Sequence, residues 1–271
     1  MAQETGAVAQ HYGGPRLAER ILDAASAAGI TTISPEALAP ADEFHTGGLA
    51  ATRDLALLAA IQPGWKVLDI GSGLGGPARV LASEFGCDVT GIDITGEFVR
   101  SARVLTERCG LSAQVRFHEG DALAMPFADS TFDCAWTQHV VMNIADRLSL
   151  YREAFRVLKP GGVLVFFDIL KGNGGALDYP VPWASSPSIS FVYTPEETRS
   201  FLETAGFAQR LWDDPTANYL MVISNQAAAQ GASPLSLRIV MGEEMPAKMM
   251  RAREAVADGR LSYARGVFKK P

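Results

Sequence analysis

The sequence predicts an α/β protein, in which the strands of a mostly buried sheet alternate with helices. The first observation is the alternation itself, because short apolar runs and amphipathic helical patterns follow one another through the middle of the chain. The second is the stretch over residues 67–76, where a buried strand leads through four glycines into a helix. The third is composition, since 271 residues with 48% hydrophobic residues allow one large domain with additions.

The N-terminal residues predict a helical cap. An amphipathic pattern covers residues 17–28, and residues 33–40 are interpreted as a short connection flanked by prolines. Gly47 and Gly48 then begin a helix over residues 49–61. Backbone N–H groups at such a helix start are suited to hold a carboxylate.

The glycine turn at residues 71–76 predicts a site for a nucleotide-like ligand. Glycine lets the backbone turn sharply and lets a ligand lie against the main chain, and the first turn of the following helix offers unpaired N–H groups. The spacing also satisfies the dinucleotide fingerprint. Asp69 favours another ligand, because its carboxylate would repel a pyrophosphate and attract the sulfonium and ammonium of S-adenosylmethionine (SAM). The alternative is that Asp69 caps its own loop.

The next strand, residues 88–92, supplies a second acidic group. It ends at Asp93, ~22 residues after the first glycine of the turn, where an acidic side chain meets ribose hydroxyls. One carboxylate accepts hydrogen bonds from both hydroxyls, and Ile94 beside it is expected to face the adenine. The alternative is that Asp93 caps the following helix.

Polar side chains follow the strand over residues 132–136. Ligands of open parallel sheets bind over the carboxyl ends of the strands. Gln138 and His139 are therefore expected to face the ligand, with Asn143 one helical turn further on. His139 is the best-placed neutral base, and the alternative is a structural histidine held by hydrogen bonds.

The last third of the chain completes the pattern. A strand over residues 163–167 is apolar throughout and hence central. Asp168 ends it and is expected to pair with a substrate cation or to cap the following loop. A capping box at residues 194–197 begins a helix. The remaining predicted elements are helices over residues 96–109 and 146–158, strands over residues 115–118 and 207–212, two helical patterns within residues 215–258 and a last strand over residues 262–268.

Charge and cysteine content exclude several classes. The formal net charge of −6 argues against non-specific nucleic-acid binding, which needs a basic surface. No apolar run approaches the ~20 residues that a membrane helix requires, and the first residues lack a secretory signal pattern. Cys87, Cys109 and Cys134 are odd in number and far apart, as expected of reduced residues. We therefore expect a cytoplasmic protein with no metal, no nucleic-acid partner and no membrane partner.

The motif V-L-D-I-G-S-G-L-G-G at residues 67–76 resembles motif I of the class I SAM-dependent methyltransferases. The resemblance continues through Asp93, G-D-A-x-x-x-P-F at residues 120–127 and R-V-L-K-P-G-G at residues 156–162, over roughly residues 44–212. It implies a Rossmann-like sheet of seven strands, mostly parallel, with an antiparallel final strand, a helical N-terminal lid and a helical C-terminal insertion. The expected divisions are a lid at residues 1–62, a SAM-binding core at residues 63–214 and an insertion with the last strand at residues 215–271.

The resemblance also implies roles for individual residues. Asp121 accepts a hydrogen bond from the adenine amino group, the N–H of Ala122 donates to a ring nitrogen, and Gly48 helps to hold the methionine carboxylate. Tyr12 precedes a helix that covers the active site in this superfamily, so its side chain points at the sulfonium or substrate, or packs on the lid. The expected cofactor-binding residues are Gly48, Asp69, Gly71, Ser72, Gly73, Asp93, Ile94, Asp121, Ala122 and Gln138, and the catalytic candidates are Tyr12, His139 and Asn143.

The acceptor is predicted less directly. The chain resembles the sarcosine and dimethylglycine N-methyltransferase-like group, methyltransferase type 11. Phosphoethanolamine enzymes carry a histidine where this chain has Asn143, which disfavours phosphobases, whereas a tertiary amine needs no proton acceptor. We therefore expect methyl transfer from SAM, with S-adenosylhomocysteine as product, to a small amine such as sarcosine or dimethylglycine, by a monomer or homodimer. The alternatives are an O- or C-methyltransferase of a natural-product or lipid-like substrate, an NAD-dependent oxidoreductase and a SAM-binding protein without catalysis.

Overall fold

The computed structural model describes residues 16–221 and 234–271. Within these residues seven strands form one sheet, and each of them except β5 begins and ends within two residues of its predicted position. The strands are β1 (Lys66–Ile70), β2 (Asp88–Asp93), β3 (Val115–Glu119), β4 (Phe132–Gln138), β5 (Leu158–Lys171), β6 (Ala208–Asp213) and β7 (Leu261–Lys269).

The order of the strands is β3-β2-β1-β4-β5-β7-β6. β1 to β5 are parallel to one another, while β7 runs antiparallel to both β5 and β6. β2 and β3 lie on one side of β1, and β4 and β5 lie on its other side. The strand order therefore changes direction between β1 and β4, and a crevice forms at the carboxyl ends of β1, β2 and β4. The predicted Rossmann-like class, with a seven-stranded, mostly parallel sheet and an antiparallel final strand, is confirmed.

Helices cover both faces of the sheet. The face that carries Trp136 packs against the helices Gly48–Leu58, Gly76–Phe85, Gly96–Arg108 and Met245–Ala257, and the face that carries Leu164 packs against the helices Arg147–Val157 and Pro195–Thr204. The described helices are α1 (Leu17–Ala27), α2 (Pro35–Asp42), α3 (Gly48–Leu58), α4 (Gly76–Phe85), α5 (Gly96–Arg108), α6 (Arg147–Val157), α7 (Pro195–Thr204), α8 (Arg238–Met241) and α9 (Met245–Ala257), and residues 216–221 are helical too. None of the helices in these described parts is both long and apolar enough to cross a bilayer.

The centre of the core lies along β5. Val165 and Phe167 point to one face, whereas Leu164 and Phe166 point to the other, and all four side chains are fully buried. A strand with apolar side chains on both faces must be central in the sheet. β5 therefore separates the two halves of the core, as its apolar sequence predicts.

The predicted connection at residues 33–40 is wrong, because this stretch is mostly the helix α2. Ser34 caps it, since its hydroxyl accepts a hydrogen bond from the Ala37 N–H at 3.2 Å. Pro35 occupies the first helical position, where a missing N–H costs nothing. Leu38 and Ala41 are fully buried on the inner side. The prolines that suggested a loop are compatible with the start and the interior of a short packed helix.

β5 is longer than predicted, since it extends from Leu158 to Lys171 and not only over residues 163–167. β7 pairs with it continuously, from Val163 opposite Lys269 to Lys171 opposite Leu261. Strand pairing extends the strand beyond the apolar run. Asp168 consequently lies within β5 and does not end it.

The capping box of α7 is confirmed. The Glu197 N–H donates to the Thr194 hydroxyl at 3.2 Å, and the Thr194 N–H donates to the Glu197 carboxylate at 2.8 Å. After β6 the chain enters the insertion, to which α8 and α9 belong, and then returns as β7. α9 packs on β7, so the insertion lies close to the carboxyl end of β5.

Candidate active site

A cavity of about 520 Å³ opens at the carboxyl ends of the parallel strands. Its size is that of a small-molecule site. Of the predicted site residues, those that line it are Gly71, Gly73, Asp93, Ile94, Asp121, Ala122, Gln138, His139 and Asn143. Gly48, Asp69 and Ser72 are not part of the lining, and Tyr12 lies outside the described residues.

The glycine turn is held beneath the cavity by β2. The N–H groups of Gly71 and Ser72 both donate to the Ile92 carbonyl, at 2.8 and 3.1 Å. Gly71 has φ +71°, and a Cβ there would lie 2.5 Å from the Cγ atoms of Val140. Only glycine fits this backbone conformation and this close approach. The turn therefore brings bare main chain to the cavity wall.

Asp93 joins the turn to the end of β2. Its two carboxylate oxygens accept hydrogen bonds from the Gly73 N–H at 2.9 Å and from the Thr95 N–H at 2.8 Å. Burial raises the pKa of this carboxyl, and these backbone donors oppose the rise. Each oxygen retains a further lone pair, so the group can accept two more hydrogen bonds from neighbouring hydroxyls of a ligand.

Asp121 and Ala122 form the next wall of the cavity. The Leu123 N–H donates to one Asp121 oxygen at 2.9 Å, which fixes the carboxylate in an Asx turn. The Gly120 N–H donates to the Asp93 carbonyl at 3.0 Å, so this loop is joined to the end of β2. The second Asp121 oxygen accepts no hydrogen bond within the described parts of the chain and is available to a ligand donor.

Asp69 lies beneath the glycine turn. It is 3% exposed, and neither of its oxygens accepts a hydrogen bond from any described residue. Burial, reinforced by the negative charges of Glu43 and Asp93, raises its pKa to about 8. The hydrogen bonds expected of a loop cap are therefore not observed, while the lining does not include Asp69 either. With this pKa the Asp69 carboxyl is mostly protonated at neutral pH, and it becomes charged when a cation bound across the glycine turn favours loss of the proton.

Gly48 is less available than the sequence suggests. Its N–H donates to the His45 carbonyl at 3.2 Å, so this donor is occupied within the turn that precedes α3. The N–H group predicted to hold a carboxylate is thus not free in this conformation.

A buried polar network orients Gln138. The Trp136 indole N–H and the Thr52 hydroxyl donate to its amide oxygen, at 2.9 and 3.3 Å. The Thr52 hydroxyl also lies 3.0 Å from the Glu43 carboxylate, which contacts the His45 Nε2 at 2.5 Å. Because its oxygen is occupied, Gln138 presents its NH₂ group, which is buried and has no partner among the described residues. This group is a free donor at the cavity.

His139 follows β4 directly and is held in an uncommon conformation. Its φ is +51°, and its N–H donates to the Phe167 carbonyl at 2.8 Å. The Thr46 N–H donates to its Nδ1 at 3.3 Å. Since an amide N–H can only donate, Nδ1 carries the lone pair and the ring proton of the neutral imidazole lies on Nε2. Burial lowers the pKa of His139 well below its usual value, with a smaller contribution from His45. His139 is therefore a neutral donor, and its buried Nε2 has no partner within the described chain.

Asn143 lies at the far edge of the cavity, in the short turn Val141–Asn143. Its side-chain NH₂ donates to the carbonyls of Trp183 and Ile189, at 2.8 and 3.1 Å. These bonds attach the loop between β5 and α7 to the end of β4. Asn143 thereby positions a loop that forms part of the wall.

Asp168 caps a loop, although not the one expected. Its carboxylate accepts a hydrogen bond from the Val140 N–H at 3.3 Å, in the turn after β4. Burial raises its pKa to about 6, while Arg147 and the backbone N–H groups of residues 139–141 limit the rise. It does not line the cavity. Asp168 consequently supports the segment that carries His139.

Several lining residues were not anticipated from the sequence. Phe44, Thr46 and Tyr263 approach from the lid and from β7, and Met241, Met249 and Arg253 approach from the insertion. The spacing of Met249, Ala252 and Arg253 on α9 is a signal that could have been used, because residues i, i+3 and i+4 share one helix face.

Comparisons with known proteins agree with this geometry. Residues 68–166 match the family described as methyltransferase domain. Phosphoethanolamine N-methyltransferase 3 of Arabidopsis thaliana is 29% identical over 192 residues, which are 68% of this chain and only 37% of that relative. Solved structures with this fold include phosphoethanolamine N-methyltransferase 2 of Haemonchus contortus in complex with SAM, with a TM-score of 0.69, 20% identity and coverage of 84% of this chain and 54% of that one. They also include the cyclase SpnF, with a TM-score of 0.65, 26% identity and coverage of 82% and 80%.

Proposed function

We propose that this chain transfers a methyl group from SAM to a small-molecule acceptor. The match of residues 68–166 to the family described as methyltransferase domain supports the proposal. One observation carries the proposal, namely the charge of the nucleotide side of the cavity. Asp93 and Asp121 line it, Asp69 lies beneath it, and no lysine or arginine in the described residues lines this side. Such a wall suits a cationic ligand and disfavours a pyrophosphate.

The polar groups of the cavity fit SAM at three places. Asp93 would hold the ribose hydroxyls, and the second oxygen of Asp121 would accept from the adenine amino group. The free NH₂ of Gln138 would donate to the methionine carboxylate, a role that the occupied N–H of Gly48 does not supply here. When bound, SAM supplies an electrophilic methyl group on a sulfonium.

The residues around the reaction centre position the acceptor and exclude water. Methyl transfer is an in-line displacement, so alignment of the two partners contributes most of what the protein can offer. His139 contributes a hydrogen-bond donor at Nε2. To accept a proton at Nε2, the ring would first have to carry its own proton on Nδ1, and Nδ1 would then lose the hydrogen bond from the Thr46 N–H. His139 therefore orients an acceptor oxygen in this proposal, and it does not act as the general base.

The acceptor itself is inferred from the wall. A small amine such as sarcosine or dimethylglycine is what the sequence resemblance favours, with a natural-product or lipid-like O- or C-acceptor as the alternative. A second part of the cavity, here called the acceptor side, is lined by Met142, Ile169, Trp183 and Phe191. A small zwitterion would leave these apolar side chains uncovered. The apolar lining favours the alternative.

Calorimetry with SAM, S-adenosylhomocysteine and NAD tests the cofactor, and labelled-methyl transfer from SAM to dimethylglycine, phenols and apolar acids tests the reaction. Asp93→Ala should weaken SAM binding by about tenfold or more, because charge-assisted hydrogen bonds are lost. The matched control is Asp88→Ala at the other end of β2, where the carboxylate pairs with Arg116 on the surface. Binding of NAD in place of SAM, or equal affinities of the two variants, would refute the proposal.

A further inference from the structure

The insertion between β6 and β7 supplies one wall of the cavity. Met249, Ala252 and Arg253 on α9 and Met241 on α8 all line it. The three α9 residues share one face of the helix, and the helix packs on β7. The acceptor side is thus bounded by a segment that lies outside residues 68–166.

Arg253 is the unexplained group of this wall. It is half-buried, and it makes no hydrogen bond or ion pair with any described residue. No other lysine or arginine of the described residues lines the cavity. Partial burial of an unpaired guanidinium is unfavourable, and a bound anion relieves this cost through paired N–H···O bonds.

The other side chains around Arg253 are mostly apolar. The polar exceptions Asn143 and Asp146 use polar groups within the protein, since the Asn143 NH₂ donates to the Trp183 and Ile189 carbonyls and the Asp146 carboxylate accepts from the Ser149 N–H. Trp183 is 2% exposed, and its indole N–H already donates to the Ser190 hydroxyl at 2.9 Å, so it offers the cavity an apolar surface. Phe191 stands beside it on the same loop, and Met249 faces the cavity from α9. Unbranched methionine side chains adapt to ligands of irregular shape.

We propose that the methyl acceptor is an apolar molecule that ends in an acidic group, a carboxylate or a phosphate, and that Arg253 binds this anion. The proposal rests on the proposed function only in calling the ligand an acceptor, since the binding preference follows from the cavity. An apolar amine would fit the same wall, but its ammonium would be repelled by Arg253. The free Nε2–H of His139 offers a second contact, to an oxygen nearer the SAM side.

The test is equilibrium binding to the full chain saturated with S-adenosylhomocysteine. The probes share one eight-carbon chain and differ only in the end group: octanoate, octyl phosphate, octanol and octylamine. Octanoate or octyl phosphate should bind about tenfold or more tightly than octanol, and octylamine should bind most weakly. The two acids distinguish a carboxylate ligand from a phosphate ligand.

Variants at two arginines of the insertion complete the experiment. Arg253→Gln should reduce the affinity for the acids to that for octanol, while Arg253→Lys should retain part of the preference. Arg238→Gln removes the same charge from the exposed surface of α8 and should change nothing. An acid preference that survives Arg253→Gln, or no acid preference in the wild type, would overturn the proposal. Absence of methyl transfer with the acid preference intact would instead contradict only the proposed function.

Discussion

Replacement of Gly71 by alanine measures how closely the glycine turn must approach the loop after β4. Two costs are expected. The first is the left-handed backbone, φ +71°, which costs a non-glycine residue about 1–2 kcal/mol. The second is the new Cβ, 2.5 Å from the Val140 side chain, which amounts to overpacking of about 1–3 kcal/mol. The variant should therefore lose about 2–5 kcal/mol of unfolding free energy.

Gly110 is a matched control for the first cost. Its φ is +72°, and a Cβ there would meet no atom within 4 Å. Urea unfolding of Gly71→Ala and Gly110→Ala should therefore differ by the overpacking cost alone, about 1–3 kcal/mol. Val140→Ala should remove most of the difference when combined with Gly71→Ala, as a double-mutant cycle would report. Equal destabilisation at the two glycines would show that the contact with Val140 is not a real constraint.

Three further predictions concern the pKa of His139, the pKa of Asp69 and the loop that Asn143 holds. The depressed pKa of His139 means that the unfolded chain binds a proton below about pH 6.5 that the folded chain excludes. Stability should thus fall as the pH drops below that value, and His139→Gln should flatten the fall in urea unfolding measured against pH. Asp69, with its pKa near 8, should release a proton when cationic SAM binds at neutral pH, seen as a buffer-dependent binding enthalpy that Asp69→Asn abolishes. No proton release in the wild type would separate Asp69 from the cation. Asn143→Ala should lose the bonds to Trp183 and Ile189, lowering stability by about 1–3 kcal/mol and weakening octanoate binding while SAM affinity stays unchanged.

The parts of the site that sequence predicts best are those built from neighbouring residues. The glycine turn and Asp93 lie on consecutive elements of one strand–helix–strand unit, and the Gly73 N–H bond to Asp93 spans only 20 residues. Spacing along the chain therefore determines where these groups lie. The same holds for the capping box of α7, which is complete within four residues.

The parts that sequence predicts poorly depend on contacts between distant segments. The donor state of His139 is set by Thr46, 93 residues away in the chain. The extent of β5 depends on its pairing with β7, and a run of apolar residues cannot reveal the partner. α2 is hard to predict for another reason, because prolines usually indicate a break in a helix, whereas Pro35 is accommodated at a helix start.

β6 and β7 are antiparallel neighbours, and Arg265 on one donates to Asp213 on the other at 2.8 Å. The polypeptide that carries α8 and α9 thus departs from and rejoins the sheet at a single edge. The segment between β6 and β7 can therefore be exchanged between related chains as one unit. Such an exchange is expected to change which acceptor is bound and to leave the residues around Asp93 unchanged. Acceptor specificity can thus change through this one segment, while the strands and loops that surround Asp93 keep their sequence and structure.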